Sequence, residues 1–188
     1  NTCLSALRAM NSLGKPARND SKGCGGVMRV APVGLFAWGL RQYESPQDAF
    51  RLGTELAALT HGHPTGALTG GVLAVLVLAL TDGASRREAL AAAKLMLRAE
   101  PRHEETLRAI EMAEELADSG LPHEEAIARL GQGWTAEEAL AISIYCALVA
   151  RNFKHCVILA VNHDGGSDST GAIGGNLLGA MHGVKAIP

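Results

Sequence analysis

Residues 135–150 read TAEEALAISIYCALVA and give the clearest helix signal in the chain. Thr135 and Glu138 have the spacing of a capping box, in which each side chain satisfies a backbone N–H group that the helix itself leaves free. The apolar run that follows at once places this box at a helix start. We therefore expect a helix that begins just after Thr135 and reaches about residue 150.

The other periodic segments also have helical spacing. Ser45-Pro46-Gln47-Asp48 is a second helix start, because Ser45 can cap free N–H groups and Pro46 has its φ preset. No pair of alternating segments is joined by a hairpin-type Asn-Gly or Asp-Gly turn. The sequence therefore predicts an all-α fold, with further helices at residues 1–10, 25–40, 45–60, 64–80, 86–97, 104–118, 122–130, 153–161 and 169–183.

Composition bounds the class of protein. The chain has 188 residues, 47% of them hydrophobic, which suits one domain or a large part of one. A net charge of -2 argues against a basic surface that binds nucleic acid or an anionic membrane. Four scattered cysteines form no CxxC pair, and the apolar stretch 71–80 is shorter than the roughly 20 residues of a membrane span. We expect a protein of the reducing cytoplasm that binds neither nucleic acid nor membrane.

The segment NHDGGSDSTG, residues 162–171, combines carboxylates and hydroxyls on a glycine-rich turn. Oxygen donors on a tight turn suit a hard cation such as Mg²⁺. The alternative is an ordinary helix cap, because Asp168 or Ser169 can satisfy free N–H groups without any metal. The spacing of this segment excludes a calcium EF-hand, since the twelfth position, counted with Asp164 as the first, is Gly175 and not glutamate.

Two further segments are candidates for ligand binding. The loop at residues 19–26, NDSKGCGG, precedes an apolar helix, and its glycines allow backbone N–H groups to converge on a phosphate. His61 follows a predicted helix end, where it either complements the helix dipole or faces a substrate. Taken alone, the pattern of residues 19–26 is more typical of an ordinary loop, and the two interpretations of His61 stay open.

Glycines recur every fourth residue from 171 to 183, on one face of the last predicted helix. They favour the close approach of another helix or of a ligand. Gly66 and Gly70 have the same spacing and are candidates for the opposing surface. By contrast, the glutamates of residues 104–115, Glu105 among them, are interpreted as the solvated faces of helices.

Four segments in this order resemble the signature segments of the ADP-ribosylglycohydrolase family, which includes the dinitrogenase reductase-activating glycohydrolases. They are NDSKGCGGVMRVAP (19–32), LTHGHPTG (59–66), LGQGWTAEEAL (130–140) and AVNHDGGSDSTGAIGGNLLGAMHG (160–183). The resemblance implies a compact multi-helix orthogonal bundle. It also implies a cleft that takes ADP-ribose and holds two Mg²⁺ ions, for which Mn²⁺ can substitute. The family hydrolyses the N- or O-glycosidic bond between ADP-ribose and a protein side chain or related acceptor.

The resemblance also assigns roles to individual residues. Asp168 and Ser169 match metal ligands of the family. The residues that match its substrate-binding segments are Gly23, Cys24, Gly25, Gly26, His61 and Trp134, although Trp134 is equally compatible with a core anchor. The expected partner is an ADP-ribosylated protein or a small molecule derived from ADP-ribose.

Two departures from the family pattern matter for function. Gly166 stands where the family has its first metal aspartate, and we hypothesise that Asp164 replaces that ligand. The family's N-terminal motifs, with its catalytic acid and a Thr-Asp-Asp triplet, have no counterpart here. Residues 1–188 are therefore expected to form the C-terminal part of one domain. This part is expected to be inactive by itself. The alternative is an ADP-ribose-binding pseudoenzyme module with a degenerate metal site.

Overall fold

A computed structural model describes residues 2–10, 12, 14–40 and 45–188 of the chain. Within these ranges every regular element is a helix apart from one isolated β-bridge, which confirms the predicted all-α class. Two short 3-10 helices span Val27–Arg29 and Val184–Ala186. The α-helices are α1 (Thr2–Ala9), α2 (Ala31–Leu40), α3 (Pro46–Ala58), α4 (Pro64–Thr81), α5 (Arg86–Arg98), α6 (Glu104–Asp118), α7 (His123–Leu130), α8 (Ala136–Val149), α9 (Phe153–Val161) and α10 (Ser167–His182).

Helices α4 and α8 form the centre of the core. Most residues of both helices are buried, which explains why neither has a pronounced polar face. Helix α4 has 18 residues and a mean hydropathy of 1.8, so its length and composition alone would also suit a membrane span. Its burial among other helices of the same chain accounts for that composition without a membrane.

The glycines of α4 and α10 allow close helix packing, but not against each other. A Cβ on Gly70 would lie 2.6 Å from the carbonyl oxygen of Gly53, so α4 contacts α3 backbone to backbone. A Cβ on Gly171 would lie 2.6 Å from a methyl group of Val161 in α9. The repeated glycines of α10 therefore face α9, and the predicted pairing of the two glycine sets is wrong.

The capping box occurs at a different helix from the one that the sequence favoured. At the start of α5, Ser85 Oγ accepts from the N–H of Glu88 at 3.3 Å, and Ser85 N–H donates to Glu88 Oε2 at 2.8 Å. Thr135 precedes α8 as expected, yet its side chain makes no cap hydrogen bond. Its hydroxyl is buried without a partner, and its backbone forms a bridge to Gly23.

A proline divides the helix predicted at residues 25–40. Pro32 has no N–H to donate, so an α-helix cannot continue through it from residue 28. The chain forms the 3-10 helix Val27–Arg29 and begins again at α2, where Pro32 occupies a first-turn position. This break leaves residues 23–26 as a compact loop, which we call the glycine loop.

Candidate functional site

The glycine loop is joined to the start of α8 by main-chain hydrogen bonds. Cys24 N–H donates to the carbonyl of Trp134 at 3.1 Å, and Ala136 N–H donates to the carbonyl of Lys22 at 2.7 Å. Between them, Gly23 and Thr135 form an isolated antiparallel bridge. Two segments more than a hundred residues apart in sequence therefore behave as one local unit.

The turn before α10 packs against the same connection between α7 and α8. Gly166 N–H donates to the carbonyl of Gln132 at 2.7 Å. A Cβ on Gly165 would lie 1.7 Å from that carbonyl oxygen, so only glycine fits this approach. Residues 131–136 thus contact both the glycine loop and the turn at residues 162–168.

Ser169 connects the turn directly to the glycine loop. Its side chain is 1% exposed, and its Oγ lies 3.2 Å from Cys24 Sγ and 3.4 Å from Met28 Sδ. Two predicted site residues, Ser169 and Cys24, are therefore in contact although 145 positions separate them. The metal role predicted for Ser169 would require its hydroxyl to leave these sulfur atoms for a cation.

Asp168 lies exposed in the first turn of α10. The residue that precedes this helix is Gly166, and no side chain makes a cap hydrogen bond there. The alternative that Asp168 or Ser169 acts as the helix cap is therefore wrong. The Asp168 carboxylate remains near the positive end of the helix, where a negative charge is favourable.

Gly166 is buried and has little room for a side chain. A Cβ at this position would lie 2.6 Å from the carbonyl oxygen of Gly133 and 3.6 Å from the indole of Trp134. The aspartate of the family pattern could enter only if this backbone contact opened. The replacement by glycine is thus built into the local packing.

Asp164 is exposed and lies at a groove that the buried Ser169 does not line. It lines a groove together with Glu124, Gly131, Gln132 and His163. His163 stabilises the turn beneath it, because its Nδ1 accepts from Gly165 N–H at 3.2 Å and its Nε2 lies 2.9 Å from Thr170 Oγ1. Ser169 instead faces Cys24 and Met28, so a shared metal site with Asp164 would require the turn to rearrange.

Trp134 is 57% exposed, which excludes the interpretation of this residue as a core anchor. Its indole Nε1 donates to Gln132 Oε1 at 3.2 Å. One edge of the ring lies beside Gly166, while its backbone carbonyl holds Cys24. An exposed aromatic ring between two glycine-rich segments suits the stacking of a planar ligand group.

His61 lies beneath the glycine loop. Its ring is 1% exposed, and Cβ atoms on Gly26 and Gly25 would come within 3.1 and 3.3 Å of it. Burial, reinforced by the nearby charge of Arg29, lowers the pKa of His61, which favours a neutral ring. The substrate-binding role of His61 stays a prediction, and the structure shows that the ring supports the loop.

Lys22 anchors the glycine loop through a pair of carboxylates. Its Nζ lies 2.6 Å from Glu105 Oε1 and 2.5 Å from Glu137 Oε1, and Thr65 Oγ1 donates to the other oxygen of Glu105. These hydrogen bonds raise the pKa of Lys22, and those from Lys22 and Thr65 lower the pKa of Glu105. Interpretation of Glu105 as merely a solvated residue was therefore incomplete.

The predicted metal donors form only part of a site. In the described ranges, no three His, Cys, Asp or Glu side chains lie close enough together to share a metal ion. Mg²⁺ demands near-octahedral coordination by oxygen, and Asp168 with Ser169 provides one carboxylate and one hydroxyl. These residues do not complete a Mg²⁺ site without other donors.

Comparison with known proteins places these features in a family. A family model described as ADP-ribosylglycohydrolase matches residues 1–188. An uncharacterized protein of Archaeoglobus fulgidus is 30% identical over 157 residues, which cover 84% of this chain and 48% of that protein. ADP-ribosylhydrolase ARH3 of Homo sapiens is 26% identical over 210 residues, covering 93% of this chain and 55% of its own length.

A solved structure has the same fold over the whole chain. It is titled "ADP-ribosylglycohydrolase-related protein complex" and superposes with a TM-score of 0.76 at 30% identity. The match covers 100% of this chain and 60% of that one. The chain spans about half the length of the curated relatives that it matches.

Proposed function

The chain belongs to the ADP-ribosylglycohydrolase family, and on this premise we propose that the protein hydrolyses the N- or O-glycosidic bond between ADP-ribose and an acceptor. The acceptor is a protein side chain or a related small molecule. Mg²⁺, or Mn²⁺ in its place, is the proposed cofactor, with two ions in the complete site. The four free thiols support a location in the reducing cytoplasm.

One observation carries the proposal: three separate segments meet at the contacts among Cys24, Trp134 and Ser169. Cys24 N–H is bonded to the carbonyl of Trp134, and Cys24 Sγ accepts from Ser169 Oγ. A scaffold without a ligand has little need for glycine-rich segments brought to one point. The convergence supports a shared binding site for one extended molecule.

The parts of this site suit the parts of ADP-ribose. The backbone of the glycine loop offers N–H groups of the kind that bind diphosphate oxygens. The exposed ring of Trp134 offers a face for stacking. The exposed carboxylate of Asp168 is able to accept hydrogen bonds from a ribose diol or to bind a cation. In this proposal, Asp168 and Ser169 contribute two metal donors, and the other donors and the acid that protonates the leaving group lie outside the described residues.

Release of ADP-ribose from defined substrates tests the proposal. We expect the full-length protein to release it from an arginine-linked or a serine-linked ADP-ribosyl peptide when Mg²⁺ is present. Asp168→Asn should lower kcat/KM at least tenfold. Asp118→Asn is the matched control, because Asp118 is also an exposed helical aspartate but pairs with Arg87. No hydrolysis of any ADP-ribosyl linkage by the wild type would refute the proposed reaction, and equal loss in both variants would refute the role of Asp168.

The crowded position of Gly166 favours a second candidate function, an ADP-ribose-binding pseudoenzyme module. No carboxylate fits there without movement of Gly133, so one metal position lacks its usual ligand. Calorimetry with ADP-ribose, with and without Mg²⁺, separates the two functions. Metal-independent binding by a full-length protein that hydrolyses nothing would favour the module.

We also propose that the 188-residue polypeptide alone binds Mg²⁺ poorly and hydrolyses ADP-ribosyl substrates negligibly. The incomplete set of metal donors supports this. Titration of this polypeptide with Mg²⁺, followed by an assay of released ADP-ribose, tests both parts. Robust turnover by the isolated polypeptide would contradict the claim.

A further inference from the structure

Arg29 joins the glycine loop to the end of α3. Its Nη1 donates to the carbonyl of Gly25 at 3.3 Å, and its Nη2 donates to the carbonyl of Leu56 at 2.9 Å. The last carbonyls of a helix have no intrahelical partner and are favourable places for a cation. The two terminal nitrogens of the Arg29 guanidinium thus connect the backbone of the glycine loop to the backbone at the end of α3.

The same guanidinium reaches the hydroxyl of Thr60. Arg29 Nη2 donates to Thr60 Oγ1 at 2.7 Å, and Thr60 Oγ1 lies 2.8 Å from His61 Nδ1. Thr60 is 2% exposed, so solvent does not compete for these bonds. Arg29, Thr60 and His61 thus form a buried chain of hydrogen bonds that leads to the underside of the loop.

The direction of these bonds determines the protonation of the imidazole. Thr60 Oγ1 accepts from Arg29, and its other neighbour, Cys3 Sγ, is a weak donor at 3.9 Å. The hydroxyl proton of Thr60 therefore has His61 Nδ1 as its good acceptor. With Nδ1 accepting, the ring of a neutral His61 carries its proton on Nε2.

The glycine loop lies directly on this ring. Cβ atoms added to Gly26, Gly25 and Gly23 would lie 3.1, 3.3 and 3.5 Å from Nδ1, Cε1 and Nε2, respectively. Each glycine faces a different ring atom, so the imidazole packs against the loop along its length. We therefore expect a change in the orientation of the His61 ring to be accompanied by a change in the conformation of the glycine loop.

We propose that Arg29 and Thr60 are positioning residues that hold His61 as its Nε2–H tautomer and thereby set the affinity of the glycine loop for a diphosphate-containing ligand. The last step rests on the proposed ADP-ribose function, whereas the tautomer and the ring orientation do not. Beside the ring, Arg29 comes from the 3-10 helix and Cys3 from α1.

Long-range ¹H–¹⁵N NMR spectra of the intact protein test the tautomer directly, and His61→Gln assigns the signals. We expect the wild type to show the Nε2–H pattern at pH 7. Thr60→Val removes the proton donor and should give mixed tautomers, and Thr60→Ser should restore the wild-type pattern. Thr81→Val is the control, because Thr81 Oγ1 bonds only within α4, to the carbonyl of Val77. An Nδ1–H tautomer or an imidazolium in the wild type would overturn the inference without any variant.

Calorimetry with ADP-ribose tests the functional step. We expect Thr60→Val to weaken binding roughly three- to tenfold, and Arg29→Lys at least as much, because an ammonium lacks the planar fork that spans Gly25, Leu56 and Thr60. Arg51→Lys, on the exposed face of α3, should bind like the wild type. If the wild type does not bind ADP-ribose, the proposed function fails and the tautomer result still stands. If it binds and Thr60→Val binds equally well, the positioning role is wrong and the proposed function survives.

Discussion

Restoring the family's carboxylate at position 166 should destabilise this protein. In Gly166→Ala, a single Cβ meets the carbonyl oxygen of Gly133 at 2.6 Å, where an ordinary contact needs 3.4 Å or more. The backbone φ of Gly166 is -71°, which alanine adopts freely, so the cost is purely steric. Gly166→Asp adds the same clash and a charge near the start of α10.

The magnitude follows from what must move. Overpacking of this kind costs about 1–3 kcal/mol, and stretching the 2.7 Å bond from Gly166 N–H to Gln132 adds about 0.5–1.5 kcal/mol. For a domain of this size, the sum lowers Tm by roughly 3–18 °C. The aspartate should recover up to about 1 kcal/mol of this loss by complementing the helix dipole. Gly166→Asp should therefore introduce the carboxylate only with a net loss of stability.

Urea denaturation followed by helical circular dichroism measures the effect. Gly175→Ala, inside α10, is the matched control, since its Cβ would lie 3.9 Å from its nearest neighbours, Phe153 and Val157 of α9. That variant should gain about 0.5–1 kcal/mol from the higher helix propensity of alanine. If Gly166→Ala were as stable as Gly175→Ala, the turn would be free to yield, and the account of Gly166 as sterically enforced would be refuted.

Three further results are expected from the packing. Hydrogen bonds from Lys22 and Thr65 lower the pKa of Glu105 in the folded state, so their contribution to stability is complete above the unfolded pKa of about 4.5. This contribution is lost as the pH falls through the pKa of Glu105 in the folded protein. Glu105→Gln should therefore make the free energy of unfolding less dependent on pH in acid. Ser85→Ala should cost about 1 kcal/mol in urea denaturation, whereas Thr135→Val, which removes an unpartnered hydroxyl, should be neutral or stabilising. Burial raises the pKa of the Cys156 thiol to about 12, so iodoacetamide at pH 8 should modify it far more slowly in the folded than in the urea-unfolded protein, as mass spectrometry of its peptide would show.

Local signals in the sequence were enough to predict most of the helices, although not the division of residues 25–40 into a 3-10 helix and α2. Pro46 marks the start of α3, and Glu104 and Phe153 begin α6 and α9 where the periodicity placed them. Capping was less predictable, because two sequences fit the same motif. Ser85 forms the box with Glu88, whereas the backbone of Thr135 forms a bridge to Gly23 in a distant loop and its side chain makes no cap hydrogen bond.

The site was predictable in its segments but not in its contacts. The order of the four motifs led to Cys24 and Ser169, yet no local pattern shows that their side chains touch. Lys22 escaped notice because its partner Glu137 is 115 positions away in sequence. Such pairs arise from packing of the whole bundle, which a single sequence does not encode as a readable spacing.

The connection at residues 131–136 contacts the glycine loop through Trp134 and the turn before α10 through Gln132. These two peptide carbonyls belong to one short piece of chain, so neither outer segment can detach without disturbing the anchor of the other. In hydrogen–deuterium exchange, the amides of Cys24 and Gly166 should therefore become labelled in a single correlated opening event, and a ligand that protects one of them should slow exchange at both.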